Sequence, residues 1–278
     1  MDFDKTIDKL SQSVPEPTED TYTGEDGLLH CAKCDGYRET TVALFGNVRK
    51  VRCICKCQKE ALDAEEEARK NHEKMQRIEK LRKTGFQDGL LIDWTFYNDD
   101  GSHPEVMKAA RNYVDNFKTF KKDGKGLLLY GNVGTGKTYV AAAIANALVD
   151  KGVPVMMTNF ARIANKLQES FDGRQEYLDN LNKFDLLVID DLAAERKTEY
   201  MQEIVFNVVD ARYRSGLPMI ITTNLSMDTI KNSQSATDNR IFDRIIEKCF
   251  PIEVKGKSHR RKNVNKEYGD MKAMLGLK

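Results

Sequence analysis

No apolar run in this 278-residue chain approaches the roughly 18 residues that would cross a bilayer, and no leader-like segment is visible. The expectation is a soluble, cytoplasmic protein with no membrane partner. Net charge is nearly absent too: 44 Lys and Arg against 43 Asp and Glu leave +1, which neither demands nor forbids nucleic acid. There is no internal repeat, which excludes a solenoid. Outside one short window cysteine is almost missing, with five of the six between Cys31 and Cys57 and only Cys249 beyond. In a reducing compartment so tight a cluster favours metal over disulfides. Cys249, on an apolar stretch, reads as a core residue.

What charge there is lies unevenly. The first thirty residues hold eight acids against Lys5 and Lys9, and the chain from Lys255 onward is rich in Lys and Arg. Two different partners and two solvated termini are equally good readings of that asymmetry.

The most informative segment is Gly131-Asn132-Val133-Gly134-Thr135-Gly136-Lys137-Thr138, followed by Tyr139. It follows the apolar run 127–130 and precedes an alanine-rich helical stretch, the strand–loop–helix setting that a triphosphate cradle needs. Glycines let backbone N–H groups turn inward, and the helix adds its positive end. Lys137 is expected to reach the β- and γ-phosphates of ATP, and Thr138 to hold Mg²⁺.

Composition divides the chain into a flexible acidic N-terminus over 1–26, a cysteine module over 27–58, a charged linker helix over 59–85 and a nucleotide-binding domain over 86–278. The linker carries Glu65/Arg69, Glu66/Lys70 and Glu73/Arg77 at i,i+4, which suits a solvated helix. Its apolar stripe of Met75, Ile78 and Leu81 is thin. Beyond it, apolar runs at 127–130, 154–158, 186–190, 219–223 and 251–254 alternate with helical stretches at 137–150, 160–170 and 199–214. Strands apolar on both faces point to an α/β fold with a central parallel sheet covered by helices.

The run 186–190 ends in Asp190 and Asp191. Asp190 is expected to hold Mg²⁺, and Asp191 to polarise an attacking water. The strand 219–223 leads to Asn224, which would face the γ-phosphate if this strand lies between the other two. Arg240 and Arg244 sit one turn apart on one helical face, and Arg260 and Arg261 follow the last strand. An arginine from a neighbouring subunit can raise hydrolysis by roughly 10³–10⁵, but spacing does not select which one.

Taken together, Gly-Asn-Val-Gly-Thr-Gly-Lys-Thr, Val-Ile-Asp-Asp-Leu, Ala-Arg-Tyr-Arg-Ser-Gly (211–216), Thr-Thr-Asn-Leu (222–225) and Arg-Ile-Phe-Asp-Arg-Ile (240–245) resemble the DnaC/DnaI class of AAA+ replicative-helicase loaders, in versions carried by phages and prophages. The resemblance covers about residues 86–275. It implies a three-layer AAA+ (ASCE P-loop) domain that self-associates, binds single-stranded DNA and deposits a hexameric replicative helicase on it. It also implies Arg244 as the finger acting in trans, with Arg240 next, and Arg260 as a sensor in cis, with Arg261 next. Many AAA+ proteins place Glu where Asp191 stands; the shorter side chain implies slow turnover. A transposition helper ATPase, which would bind duplex DNA and a transposase, is the alternative within this subclass. A helicase-binding adaptor with a regulatory ATP site is the alternative outside it.

The cysteine pattern is Cys31-x2-Cys34, eighteen residues, then Cys53-x-Cys55-x-Cys57. A structural zinc site takes four such ligands. In an extended segment Cys53, Cys55 and Cys57 would all face one way. The head resembles the metal-binding head of the same loaders, and its Cys-Lys-Cys-Gln resembles their closing pair. That selects Cys31, Cys34, Cys55 and Cys57 for Zn²⁺, with Cys53 the alternate and His30 a distant candidate. A filled site of this kind is a scaffold, expected to present a surface to the helicase, with direct DNA contact as the alternative. Single-stranded DNA contacts are expected at Phe160, Arg162 and Lys166, where related loaders carry them, or at Lys257, Arg260 and Lys262. Phe160 reads equally well as core. Trp94 and Phe96 are candidates for the adenine pocket or for plain packing.

Overall fold

The computed structural model describes residues 20–44, 47–169, 173–193, 198–256, 258, 271–272 and 274–275. Most of the acidic N-terminus, and Lys257, Arg260, Arg261 and Lys262, lie outside them. The chain forms two compact units, Met1–Met75 and Gln76–Lys278. Among the described residues no helix is long and apolar enough to cross a membrane.

The first unit contains two antiparallel ribbons. β1 (Thr21–Thr23) pairs with β2 (Leu29–Cys31), and β3 (Glu39–Leu44) pairs with β4 (Asn47–Arg52). The long helix α1 (Lys56–Gly85) follows and runs on into the second unit. Its early turns are solvated and carry ion pairs one turn apart, such as Lys70–Glu66 at 2.6 Å. Near its end Ile78 is buried and Leu81 packs against the second unit's core, while Met75 stays exposed.

The second unit begins with short 3₁₀ turns at Gly89–Asp93 and Phe96–Asn98, then α2 (Pro104–Asp115) and α3 (Phe117–Asp123). There follow β5 (Gly126–Tyr130), α4 (Lys137–Asp150), β6 (Val155–Asn159), α5 (Phe160–Glu169), α6 (Arg174–Leu181) and β7 (Leu186–Leu192). The order ends with α7 (Glu199–Ser215), β8 (Met219–Thr223), α8 (Met227–Lys231), α9 (Ala236–Lys248) and β9 (Cys249–Glu253). The five strands of this unit form one parallel sheet in the order β6-β7-β8-β5-β9.

Alternate residues of β7 feed two cores. Leu186 and Val188 face the cluster with α2 and α4, whereas Leu187 and Ile189 face the cluster with α5, α7 and α9. This is a three-layer arrangement, with helices packed on both faces of a parallel sheet. Side-chain oxygens start three of the helices: Thr198 accepts from the Met201 N–H, Ser226 from Thr229 and Ser235 from Asp238.

Some boundaries differ from the sequence reading. The second strand starts at Val155, since Pro154 has no N–H to give a ladder. The last strand starts two residues early, at Cys249, which is buried as expected. Phe160 is 1% exposed and packs in the core, so its ring is not presented to a nucleic-acid strand.

Candidate functional site

The loop Gly131–Thr138 joins β5 to α4 at the C-terminal edge of the sheet. Gly131 has φ 144°, and a Cβ there would come within 2.5 Å of the Val254 carbonyl oxygen. The loop and the chain leaving β9 touch so closely that only glycine fits. Inside the loop the Thr135 hydroxyl donates to the Asn132 carbonyl at 3.0 Å.

Lys137 opens α4 and is only 5% exposed. Its Nζ donates to the Gly131 carbonyl at 3.0 Å, the Asn132 carbonyl at 2.8 Å and Asn224 Oδ1 at 2.7 Å. Those three acceptors are neutral oxygens, so the ammonium still carries charge for a phosphate to meet. Asn224 in turn donates through Nδ2 to Asp191 Oδ1 at 3.4 Å. A short relay therefore runs from Lys137 through Asn224 to Asp191. It exists because β8 lies between β5 and β7, the condition on which Asn224 depended.

The end of β7 is distorted. The pairing with β8 shifts between Ile189 and Leu192, and Asp191 and Ala193 adopt φ of 58° and 69°. Non-glycine residues held there store strain of order 1 kcal/mol each, and the effect is to turn the Asp191 side chain out of the sheet toward the loop. The distortion is held by Thr222, which sequence reasoning passed over. Its hydroxyl accepts the Asp191 N–H at 2.9 Å and donates to Asp190 Oδ1 at 2.6 Å. Burial pushes the Asp190 carboxyl above its ordinary range, while the hydroxyls of Thr222 and Thr138 and the charge of Lys137 pull it back. Thr138 and Asp190 thus face each other at the loop, as two oxygen ligands of one Mg²⁺ would.

Beside the loop is a cavity of about 340 Å³, walled by Trp94, Met107, Tyr139 and Val140 on its apolar side and by Lys137, Thr138, Asp191 and Asn224 at its charged end. Gly134, Gly136 and Val133 line it as well, as do Asn98, Asp99, Asp100 and His103. None of those last four carried a sequence signal, since they precede the loop by about thirty residues in a segment without periodicity. Phe96 lies under the Arg111 guanidinium, 4.5 Å from ring centre to Cζ, and packs on the core.

The two arginines of α9 differ. Arg240 is exposed, with its guanidinium 4.6 Å from the Phe206 ring centre. Arg244 is 24% exposed and donates through Nε to Asp210 Oδ1 at 2.9 Å and through Nη1 to the Arg240 carbonyl at 2.7 Å. On α5, Arg162 lies 3.9 Å from Asp88, and Lys166 is exposed.

In the first unit the sulfurs of Cys31, Cys34, Cys55 and Cys57 lie within 4.8 Å of one another. Cys31–Cys57 and Cys55–Cys57 are 3.5 and 3.4 Å apart, close to the roughly 3.8 Å edge of a zinc–sulfur tetrahedron. The first pair sits on a tight knuckle after β2, where Asp35 takes φ 55° and its N–H reaches the Cys31 carbonyl. The second pair is not on an extended segment. Cys57 belongs to the first turn of α1, and Cys53 points elsewhere, donating to the Tyr37 carbonyl at 3.3 Å. His30 engages Asp26 instead of the sulfurs. Backbone N–H groups of Lys33 and Cys34 lower the Cys31 thiol to about 6, whereas the sulfurs of Cys55, Cys34 and Cys31 push Cys57 up to about 12. A cation among the four sulfurs would favour the thiolate form of each, and an all-sulfur tetrahedral set fits zinc.

Residues 56–267 match the family described as IstB-like ATP binding protein. The replicative helicase loader DnaC of Buchnera aphidicola subsp. Baizongia pistaciae (strain Bp) is 30% identical over 193 residues, covering 66% of this chain and 75% of that protein. The replicative helicase loader DnaI of Bacillus subtilis (strain 168) is 28% identical over 194 residues, 65% of this chain, and the chain spans 62% of that relative's length. The crystal structure of DnaI superposes with a TM-score of 0.51 at 28% identity, covering 61% of this chain and 95% of that one.

Proposed function

Because the chain belongs to the IstB-like ATP-binding family, in its DnaC/DnaI-type AAA+ branch, we propose that it loads a hexameric replicative helicase onto single-stranded DNA, binding ATP and hydrolysing it slowly. The observation that carries the ATP reading is the relay Lys137–Asn224–Asp191 across the glycine loop. Lys137 takes up phosphate charge, and Asn224 holds Asp191 at the height of that charge. Asp191 orients a water and accepts its proton. Magnesium, held by Thr138 and Asp190, would neutralise charge between the β- and γ-phosphates. The walls made by Trp94, Met107 and Tyr139 exclude water from the base end of the cavity. Arg244 of one copy completes the site of the next, with Arg240 beside it, and Arg260 senses nucleotide in its own copy. Zinc on Cys31, Cys34, Cys55 and Cys57 holds the head that meets the helicase.

Light scattering on the protein mixed with its replicative helicase tests the partner directly, with ATP and without nucleotide. A complex of defined mass is expected in at least one state. No complex in either state overturns the loader reading and favours a transposition helper. For the chemistry, Asp191→Ala is expected to lower the ATPase rate about 10²-fold with ATP affinity within about threefold, read by steady-state kinetics and nucleotide titration. An unchanged rate removes Asp191 from the mechanism.

A further inference from the structure

Arg240, Arg244 and Lys248 lie at i, i+4 and i+8 on α9, so they form one cationic row. Opposite them α7 presents Phe206, Asp210 and Tyr213. The Arg244 Cζ stands 5.0 Å from the Phe206 ring centre and 5.7 Å from that of Tyr213, and Lys248 Nζ is 5.1 Å from Tyr213. Asp210 sits between the two rings, 11% exposed, and one carboxylate serves two arginines. Its Oδ1 takes Nε of Arg244 at 2.9 Å and its Oδ2 takes Nη2 of Arg214 at 2.8 Å.

This geometry does something specific to Arg244. A free arginine loses rotamer entropy when it is fixed, and a guanidinium that must meet a phosphate on another molecule needs placement within about 0.5 Å. Here Nε is taken by Asp210 and Nη1 by the Arg240 carbonyl, and the rings fix the plane. Among the described residues Nη2 takes no acceptor, so one edge of the fork is left for a group from outside. We infer that Asp210 is the positioning residue of the trans-acting Arg244, setting its guanidinium before the neighbouring copy arrives. The inference rests on the proposed role of Arg244 in trans.

Mixed assemblies separate the two ideas, with ATPase activity measured in the presence of single-stranded DNA. Lys137→Ala subunits lack a working site but keep their arginine, and Arg244→Ala subunits have the reverse. Mixing them is expected to raise activity at least tenfold above the sum of the separate proteins. If it does not, the trans role of Arg244 fails and this inference falls with it.

Given that rescue, a Lys137→Ala, Asp210→Asn donor is expected to rescue Arg244→Ala at least fivefold less well, and a Lys137→Ala, Asp210→Glu donor to restore at least half. Asp210→Asn used as acceptor, mixed with Lys137→Ala, is expected to match Arg244→Ala used the same way. Full rescue by the Asp210→Asn donor overturns the positioning role while leaving the trans reading intact. Equal failure of Asp210→Asn as donor and as acceptor also overturns it, because a purely structural ion pair would damage both.

Discussion

The two units of this chain solve the problem of order by opposite means. Among the described residues of the first unit only Cys31, Arg38 and Cys55 are buried, and two of those three are candidate metal ligands. Its two ribbons are each two-stranded, and ribbons of that kind are marginal alone in water. The second unit instead buries both faces of its sheet from β5 to β8, with Leu128, Leu129, Ile144, Leu186 and Ile189 fully covered. The difference teaches that hydrophobic burial is enough to order the second unit, whereas among the described residues the first buries little beyond its cysteine cluster, so the two are expected to fail for different reasons.

The contrast breaks most visibly at the cysteines. Cys31→Ser, or a strong chelator, is expected to abolish the fold of the head, because structural zinc contributes on the order of 10 kcal/mol to domains of this size. The thermal transition of the second unit and its ATP binding are expected to stay unchanged. Metal analysis and amide NMR of the head check the first statement, and calorimetry with nucleotide titration checks the second. A head that keeps its spectrum without metal would end the comparison.

The second unit has its own weak point, and it is polar. Arg212 is 0% exposed, on α7. Its Nε and Nη2 both donate to the Pro218 carbonyl, Nη1 to Phe184 at 2.9 Å and Nη2 to Asp185 at 3.0 Å. It ties the ends of α6 and α7 to the starts of β7 and β8, and burial lowers its pKa to about 10. Arg212→Ala would leave several buried carbonyls without a donor and open a cavity, at a cost of about 3–5 kcal/mol. Denaturant unfolding is expected to show that loss in the second unit, with the zinc content of the head unaltered.

Local patterns were readable in advance, and relations across the sheet were not. The loop 131–138 is a contiguous signal, since its glycines and Lys137 act within eight residues. Four of the parallel strands, β5 to β8, show as apolar runs because both faces are covered, whereas the edge strand β9 leaves Phe250 exposed. Asn224 was found from its place after a strand. Thr222, two residues earlier, looked like strand filler, and its role depends on where the bulge in β7 falls, which no spacing encodes. Arg212 stands in the same Ala-Arg-Tyr-Arg stretch as the exposed Arg214, and only the packing of α6 on α7 separates them. For the cysteines, the alternation expected of an extended segment was overtaken by the first turn of α1, which carries Cys57 back toward Cys31 and leaves Cys53 behind.

The smallest effect is expected at Thr222, and it sharpens the contrast because it asks whether the well-packed unit spends order on function. Thr222→Val keeps the shape of a fully buried side chain and removes only the hydroxyl. The Asp191 N–H then lacks its acceptor and Asp190 keeps only the Thr138 hydroxyl of its two hydroxyl donors, a loss of about 2–3 kcal/mol for the two hydrogen bonds. If Thr222 served packing alone, stability would hold and activity would follow it. Because the hydroxyl instead fixes both carboxylates, the Mg²⁺ concentration for half-maximal ATPase is expected to rise about three- to tenfold, with ATP affinity measured without Mg²⁺ unchanged. An unaltered Mg²⁺ requirement would mean that the bulge, and not the hydroxyl, places Asp190 and Asp191, and would return Thr222 to the core.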